Sequence, residues 1–219
     1  MKTRSIVLLA CVVLYSSCIL RSLNPFYTKN AIVFEKSLTG NWEDQSHGRW
    51  DIQPFKQWFL KENKNKLPED PVDVEAWNTY REGYFISYTK KGTESFFLAI
   101  SFKVNDQVFI DFIPYYYEES EGNELVAQHL VKAHSVARLN VTDDEKIKIE
   151  WLSEKQLNVL LEKEQIQMKH EIVGPLKEVI LTASSQEIYQ FLKKYSASSS
   201  EKDWKSAEKL TLKRVYATP

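Results

Sequence analysis

Hydrophobic and polar residues alternate with a period of two along much of this chain. Over residues 146–152, isoleucine and tryptophan alternate with charged side chains, which is the pattern of a β-strand with one solvated face. The same period recurs over residues 94–114, where Asn105-Asp106 separates two apolar runs and predicts a β-hairpin. Further strands are predicted at 49–55, 81–89, 129–141, 177–183 and 208–216.

Helical signals are fewer and come late. Ser153-Glu-Lys-Gln156 and Ser184-Ser-Gln-Glu187 each match a capping box that precedes an apolar stripe at helical spacing. Residues 56–63 fit either a third short helix or a continuation of the preceding strand, and residues 62–75, charged and with two prolines, predict an exposed loop. The pattern predicts an α+β fold, mainly antiparallel β, in which a strongly curved sheet or closed barrel carries two or three peripheral helices.

The first 17 residues have the layout of a secretory signal peptide. Lys2 and Arg4 precede an apolar run from Ile6 to Leu14, which is shorter than the ~20 residues that span a bilayer. Cleavage of residues 1–17 is therefore the preferred interpretation. An uncleaved anchor and a cytosolic protein with an apolar N-terminus are the alternatives.

The residues at the predicted cut point to a lipid anchor. Tyr15-Ser-Ser-Cys18 resembles the lipobox of bacterial lipoproteins, in which the cysteine is lipidated and becomes the first residue of the mature chain; it departs at Tyr15, where that motif usually carries Leu, Val or Ile. The resemblance implies lipidation at Cys18, with residues 18–30 as a tether and residues 31–219 as a single β-rich domain. Cys11 is the weaker site because its apolar run is too short, and plain secretion is the alternative to an anchor.

Composition excludes several classes of protein. The chain has 29 Lys and Arg against 30 Asp and Glu, so its charge does not indicate attraction to nucleic acid or to an acidic membrane surface. Its two cysteines are Cys11 and Cys18, so a mature chain that starts at Cys18 forms no internal disulfide and has no cysteine metal cage. Aromatic residues make up 13%, which favours β-structure and suits contacts with sugars, lipids or proteins.

No motif for catalysis or for a cofactor is present. The 4 histidines form no HExxH pattern, and there is no nucleophile elbow, P-loop or dinucleotide fingerprint. The most suggestive group is Asp111, His129 and His134. The two histidines are five residues apart and so point to opposite faces of a regular strand; we predict hydrogen-bonded structural imidazoles, no metal and no cofactor. The segment from Tyr115 to Gly122 fits a sugar- or peptide-contacting rim, or a strand that ends in a solvated loop.

Two segments carry a family resemblance. Residues 24–42, with Asn-Pro-Phe-Tyr-Thr and then Leu-Thr-Gly-Asn-Trp, are similar to the start of a group of bacterial lipoproteins of unassigned function. Residues 107–139 resemble the middle strands of that group. The resemblance implies an envelope protein and gives no activity.

Gly40-Asn41-Trp42 also resembles the Gly-x-Trp that opens the first strand of lipocalins and related calycin barrels. In those barrels the tryptophan plugs the closed end and a basic residue of the last strand packs across it, which implies a barrel-closing pair of Trp42 and Arg214. An ordinary core tryptophan is the alternative. The chain departs from lipocalins where two predicted helices interrupt its late strands. A barrel of eight strands is either packed solid or holds one small ligand, so the fold alone implies no ligand.

These observations favour a non-enzymatic lipoprotein of the bacterial cell envelope, held on a membrane through an N-terminal lipid, with a β-rich binding or interaction domain. A lipocalin-like carrier of a small apolar ligand is the second interpretation, and an enzyme without a recognisable motif is the third. A secreted or periplasmic location is the alternative to a membrane anchor. The expected partners are the membrane and either a small apolar ligand or a protein, and not nucleic acid.

Overall fold

Eight antiparallel strands close into a barrel. The computed structural model describes residues 18–117, 130–142, 145–198, 204 and 206–216. The strands are β1 (Arg21–Ser22), β2 (Gly40–Glu43), β3 (Arg49–Pro54), β4 (Tyr84–Lys90), β5 (Thr93–Val104), β6 (Gln107–Tyr117), β7 (His134–Thr142), β8 (Lys146–Leu152), β9 (His170–Val173), β10 (Glu178–Leu181) and β11 (Ser206–Arg214). The helices are α1 (Phe55–Glu62), α2 (Pro71–Tyr80), α3 (Glu154–Glu162) and α4 (Ser185–Ser198).

The barrel follows the chain from β2 to β8, each strand pairing with the next, and β11 then closes the ring between β8 and β2. The segment between β8 and β11 contains α3, β9, β10 and α4. Outside the ring, β1 pairs with the start of β7 and runs parallel to β10, which leaves β9 as an edge strand. The predicted fold class is therefore confirmed in its closed form.

Alternation explains the barrel wall, because one face of each strand meets the interior and the other meets solvent or a helix. One cluster of buried side chains, drawn from alternate positions of all eight strands, fills the interior. A second covers the outer face of β5 to β8 beneath α3, α4 and the N-terminal segment. A third cluster lies between β4, β5 and α1. The helices therefore cover the apolar side chains on the outer face of the barrel.

Most predicted elements are present with shifted ends. The strand of residues 146–152 has the predicted bounds, and the hairpin of residues 94–114 is formed by β5 and β6. Residues 56–63 are helical, as α1. The strand predicted at residues 129–141 is β7 and begins only at His134; residue 129 lies outside the described residues.

One prediction is wrong: residues 62–75 are not a loop throughout, because α2 begins at Pro71. The Asp70 side chain accepts a hydrogen bond from the N–H of Val72 at 2.9 Å, and proline at the first helical position loses no intrahelical bond. The described residues therefore contain four helices instead of two or three.

The N-terminal segment lies against the barrel wall. Leu20 and Phe26 are fully buried and Tyr27 is nearly so, all three within the second cluster. The backbone is paired as well, because Leu20 N–H donates to Leu152 O and Leu23 N–H to Leu181 O, both at 2.9 Å. Residues 18–30, predicted to be a tether, thus contribute side chains to the core.

Candidate functional site

Cys18 lies where β8 gives way to α3. The residue is exposed, while its carbonyl oxygen accepts a hydrogen bond from the N–H of Glu154 at 2.9 Å. Ile19 forms an isolated antiparallel bridge with Ser153 and packs against the interior cluster. The predicted lipidation site is therefore an accessible thiol one residue from the barrel.

Glu154 connects this junction to the β9–β10 hairpin. Its Oε1 accepts a hydrogen bond from the N–H of Val179 at 3.0 Å, and its backbone holds Cys18. The residue is only 7% exposed. Glu154 is the first residue of α3, so its side chain lies at the N-terminal end of that helix.

The structure brings the proposed barrel-closing pair together. The Arg214 guanidinium carbon lies 4.1 Å from the centre of the Trp42 ring, within the range of a cation–π contact. The same guanidinium donates to the carbonyls of Thr39 at 3.0 Å and Ser37 at 3.1 Å, and the Trp42 indole N–H donates to Leu38 O at 2.9 Å. The last strand is thus joined to the turn that precedes the first barrel strand.

Two of the three residues that suggested a polar site meet on the outer wall. His134 Nδ1 lies 2.7 Å from Asp111 Oδ1, and Asp111 Oδ2 accepts a hydrogen bond from the N–H of Phe26 at 2.8 Å. Burial raises the pKa of Asp111, and the contacts with His134 and Phe26 oppose that rise. His129 lies outside the described residues. The Asp111 carboxylate therefore joins His134 of β7 to the backbone of the N-terminal segment.

The barrel interior is filled with large side chains. Six of them, each at most 7% exposed, are Trp42, Trp50, Tyr84, Phe112, Trp151 and Leu212. Of the two states open to a barrel of eight strands, packed by side chains or hollow enough for one small ligand, these buried residues favour the packed one.

A cleft of about 800 Å³ lies outside the barrel, between the end of α3 and α4. Its apolar floor comes from Leu160, Ile166, Met168 and Phe191, and glutamine and glutamate side chains form its rim. A volume of this size is typical of sites for small molecules.

Residues 115–117 of the predicted rim form the end of β6. Tyr115 is 45% exposed and lies edge-on to Trp58 and Phe85, with 6.1 Å between ring centres in both pairs. Trp58 itself stacks on Phe85 at 3.8 Å. Residues 118–122 lie outside the described residues.

Among the described residues, no group of three or more histidine, cysteine or acidic side chains is placed to hold a metal ion. Over the same residues, no helix combines the length and the apolar character needed to cross a bilayer. Comparison with protein-family models, with curated proteins and with solved structures found no match to this chain.

Two features of the site had no clear signal in the sequence. Glu154 is part of a capping box, and nothing in that motif indicates that it joins Cys18 to Val179. The hairpin of β9 and β10 was predicted only in its second strand. The first strand, residues 170–173, is largely exposed and lacks the alternation of a half-buried strand.

Proposed function

We propose that this protein is a non-enzymatic lipoprotein of the bacterial cell envelope, anchored through Cys18, whose barrel domain acts by binding a partner on its outer surface. The observation that carries the proposal is the position of Cys18. It is an exposed thiol directly before a segment that the barrel needs, since Leu20 and Phe26 are fully buried. Cleavage before Cys18 removes the apolar leader and keeps every one of these core residues.

The outer surface is the better place for binding because the interior is filled. Clefts and exposed aromatic side chains lie on the outside, including Tyr115 beside Trp58. A folded wall of this kind presents fixed surfaces to a partner with little ordering cost.

The second candidate function is a carrier of a small apolar ligand, and the cleft between α3 and α4 favours it. If a ligand is carried, we place it in this cleft and not in the barrel. Native mass spectrometry of the purified protein tests this candidate: a lipid-sized mass that is present in the native spectrum and lost on denaturation supports a carrier, and a native mass equal to the denatured mass counts against it.

Replacing Cys18 tests the anchor. The chain is expressed in bacteria that are fed an alkyne-tagged fatty acid, and the label is read on gels beside the molecular mass. We expect Cys18→Ala to lose the acyl label and to keep residues 1–17, because lipidation supplies the substrate for the cleavage.

Cys11→Ala is the matched control, since it changes the other cysteine of the chain. It should keep both the label and the processed mass. A Cys18→Ala chain that remains labelled rejects the site, and loss of the label in Cys11→Ala alone moves the anchor to Cys11.

A further inference from the structure

The turn of the β9–β10 hairpin presents apolar side chains to solvent. Residues 172–176 read Ile-Val-Gly-Pro-Leu, with no polar side chain among them. Leu176 is 82% exposed and Ile172 is 61% exposed. A Cβ atom on Gly174 would meet nothing within 4 Å, so the turn stands clear of the rest of the described chain. Gly174 and Pro175 are usual turn residues, whereas the exposed side chains of Ile172, Val173 and Leu176 are not, and a contiguous apolar surface marks an interaction site.

The hairpin is firmly attached to the barrel. Four residue pairs join β9 to β10, and the N–H of Lys177 closes the turn by donating to Gly174 O at 3.2 Å. Arg21 of β1 forms an ion pair of 3.1 Å with Glu178. The apolar turn is therefore held at a fixed place on the wall.

That place is next to Cys18. β1 and β10 are parallel, with Arg21 opposite Ile180, so both strands lead towards the same side when followed to their N-terminal ends. On β1 that direction leads to Cys18, and on β10 it leads to the turn. The carbonyl oxygen of Cys18 accepts from the backbone N–H of Glu154, and the Glu154 side chain accepts from the N–H of Val179 in β10. From Val179, which bonds to that side chain, Leu176 is three residues away, or about 10 Å along a strand.

We propose that residues 172–176 are a second membrane contact, inserted at the headgroup level of the bilayer that receives the lipid of Cys18. The choice of partner rests on the proposed function, because acyl chains on Cys18 bring this side of the barrel to the bilayer. Leu176 and Ile172 supply apolar area, and Lys177, the next residue along the chain, supplies a cation that anionic lipid phosphates would attract.

Photo-crosslinking in bacterial membranes tests the contact on the full chain. Benzoylphenylalanine replaces Leu176 in one variant and Leu67 in another; Leu67 is 65% exposed and lies in the loop between α1 and α2, at the opposite end of the barrel strands. Cells are fed the alkyne-tagged fatty acid, irradiated and fractionated, and the purified protein is digested to find lipid adducts. The expected adduct yield at position 176 exceeds that at position 67 by at least about fivefold.

The two readouts separate the hairpin from the anchor. An acyl label on the peptide that contains Cys18, with equal adduct yields at both positions, overturns the membrane contact and leaves the anchor in place. Lipid adducts at position 176 on a protein whose Cys18 peptide has no acyl label support the contact and reject the anchor. Adducts at position 176 that contain a protein and no lipid also overturn the contact, since they identify a protein partner. Equal unfolding temperatures of the two variants show that both are folded.

Discussion

The buried carboxylate of Asp111 links the barrel wall to the N-terminal segment, so its removal should loosen that segment. In Asp111→Ala, the N–H of Phe26 and Nδ1 of His134 both lose their partner inside the protein. Leaving a buried polar group unpaired costs about 1–3 kcal/mol, so the two groups together cost about 2–6 kcal/mol. We therefore expect Asp111→Ala to lower the free energy of unfolding by that amount.

Asp111→Asn should be far milder, although it also removes the charge. The amide oxygen of asparagine can accept from the N–H of Phe26, while its NH₂ group donates to Nδ1 of His134 in the neutral tautomer. Burial raises the pKa of Asp111, so this site already disfavours the charged carboxylate. Replacing the carboxylate by a neutral amide therefore loses little stability. We expect a loss of under about 1.5 kcal/mol.

The assay is unfolding in urea at pH 7, followed by tryptophan fluorescence, with the slope of the transition checked for each variant. In a thermal melt, the Asp111→Ala change should appear as a drop of roughly 10 °C. Asp106→Ala is the control, since Asp106 is fully exposed in the turn before β6 and should stay within about 0.5 kcal/mol of the parent protein. Equal losses in Asp111→Ala and Asp111→Asn would refute the argument, because the amide would then have failed to replace the two hydrogen bonds.

The remaining predictions concern two ion contacts of the barrel. Arg214→Ala should lower the free energy of unfolding by about 2–3 kcal/mol, because it removes the Trp42 contact and two backbone hydrogen bonds. Arg214→Lys should recover less than half of that loss. A lysine variant as stable as the parent in urea unfolding would reject this prediction. Partial burial opposes ionisation of Glu150, but hydrogen bonds from Arg138 and Lys209 outweigh it and hold the pKa of Glu150 below its ordinary value. Glu150→Gln should therefore be less stable than the parent at pH 7, and this difference in the free energy of unfolding should vanish as the pH falls through the lowered pKa of Glu150. A stability difference that stays constant from pH 7 to pH 3 in urea unfolding would contradict the prediction.

Sequence reasoning worked where a residue's surroundings are set by its own strand or turn. β8 has its predicted bounds because Ile147, Ile149 and Trp151 all face the interior while the residues between them face outwards. The capping box at Ser184 predicted α4 because its bonds are local: the Ser184 hydroxyl donates to Glu187 Oε2 at 2.6 Å.

Sequence reasoning failed where the same residues are compatible with two different structures. Asp70-Pro71 was interpreted as a loop, although the same pair is also a helix start. The neighbouring charges and the absence of a buried face in α2 gave no apolar stripe to decide between the readings. The short strands β1 and β9 were missed because their pairing depends on segments far away in the chain.

The candidate site could be predicted only in part, because some of its contacts also join segments that are far apart in the chain. Asp111 and His134 could be grouped because their predicted strands were expected to neighbour each other, and they lie 2.7 Å apart. Trp42 and Arg214 were paired through a resemblance, since more than 170 residues separate them in the chain. The role of Glu154 arises from the three-dimensional meeting of the N-terminal segment, α3 and β10, which no local pattern encodes.

The segments at both limits of the described residues complete the barrel, and this restricts how the proposed lipid anchor could be attached. At one end β11 joins β2, with Arg214 opposite Trp42, and at the other end Leu20 and Phe26 fill the outer wall. Loss of either end would expose apolar area that the barrel cannot cover in another way. A mature chain that starts at Cys18 keeps both ends, yet it has only one residue between the lipid and the first core side chain. A barrel attached so closely has little freedom to turn, so the surface around Cys18 would face the bilayer for as long as the lipid is inserted.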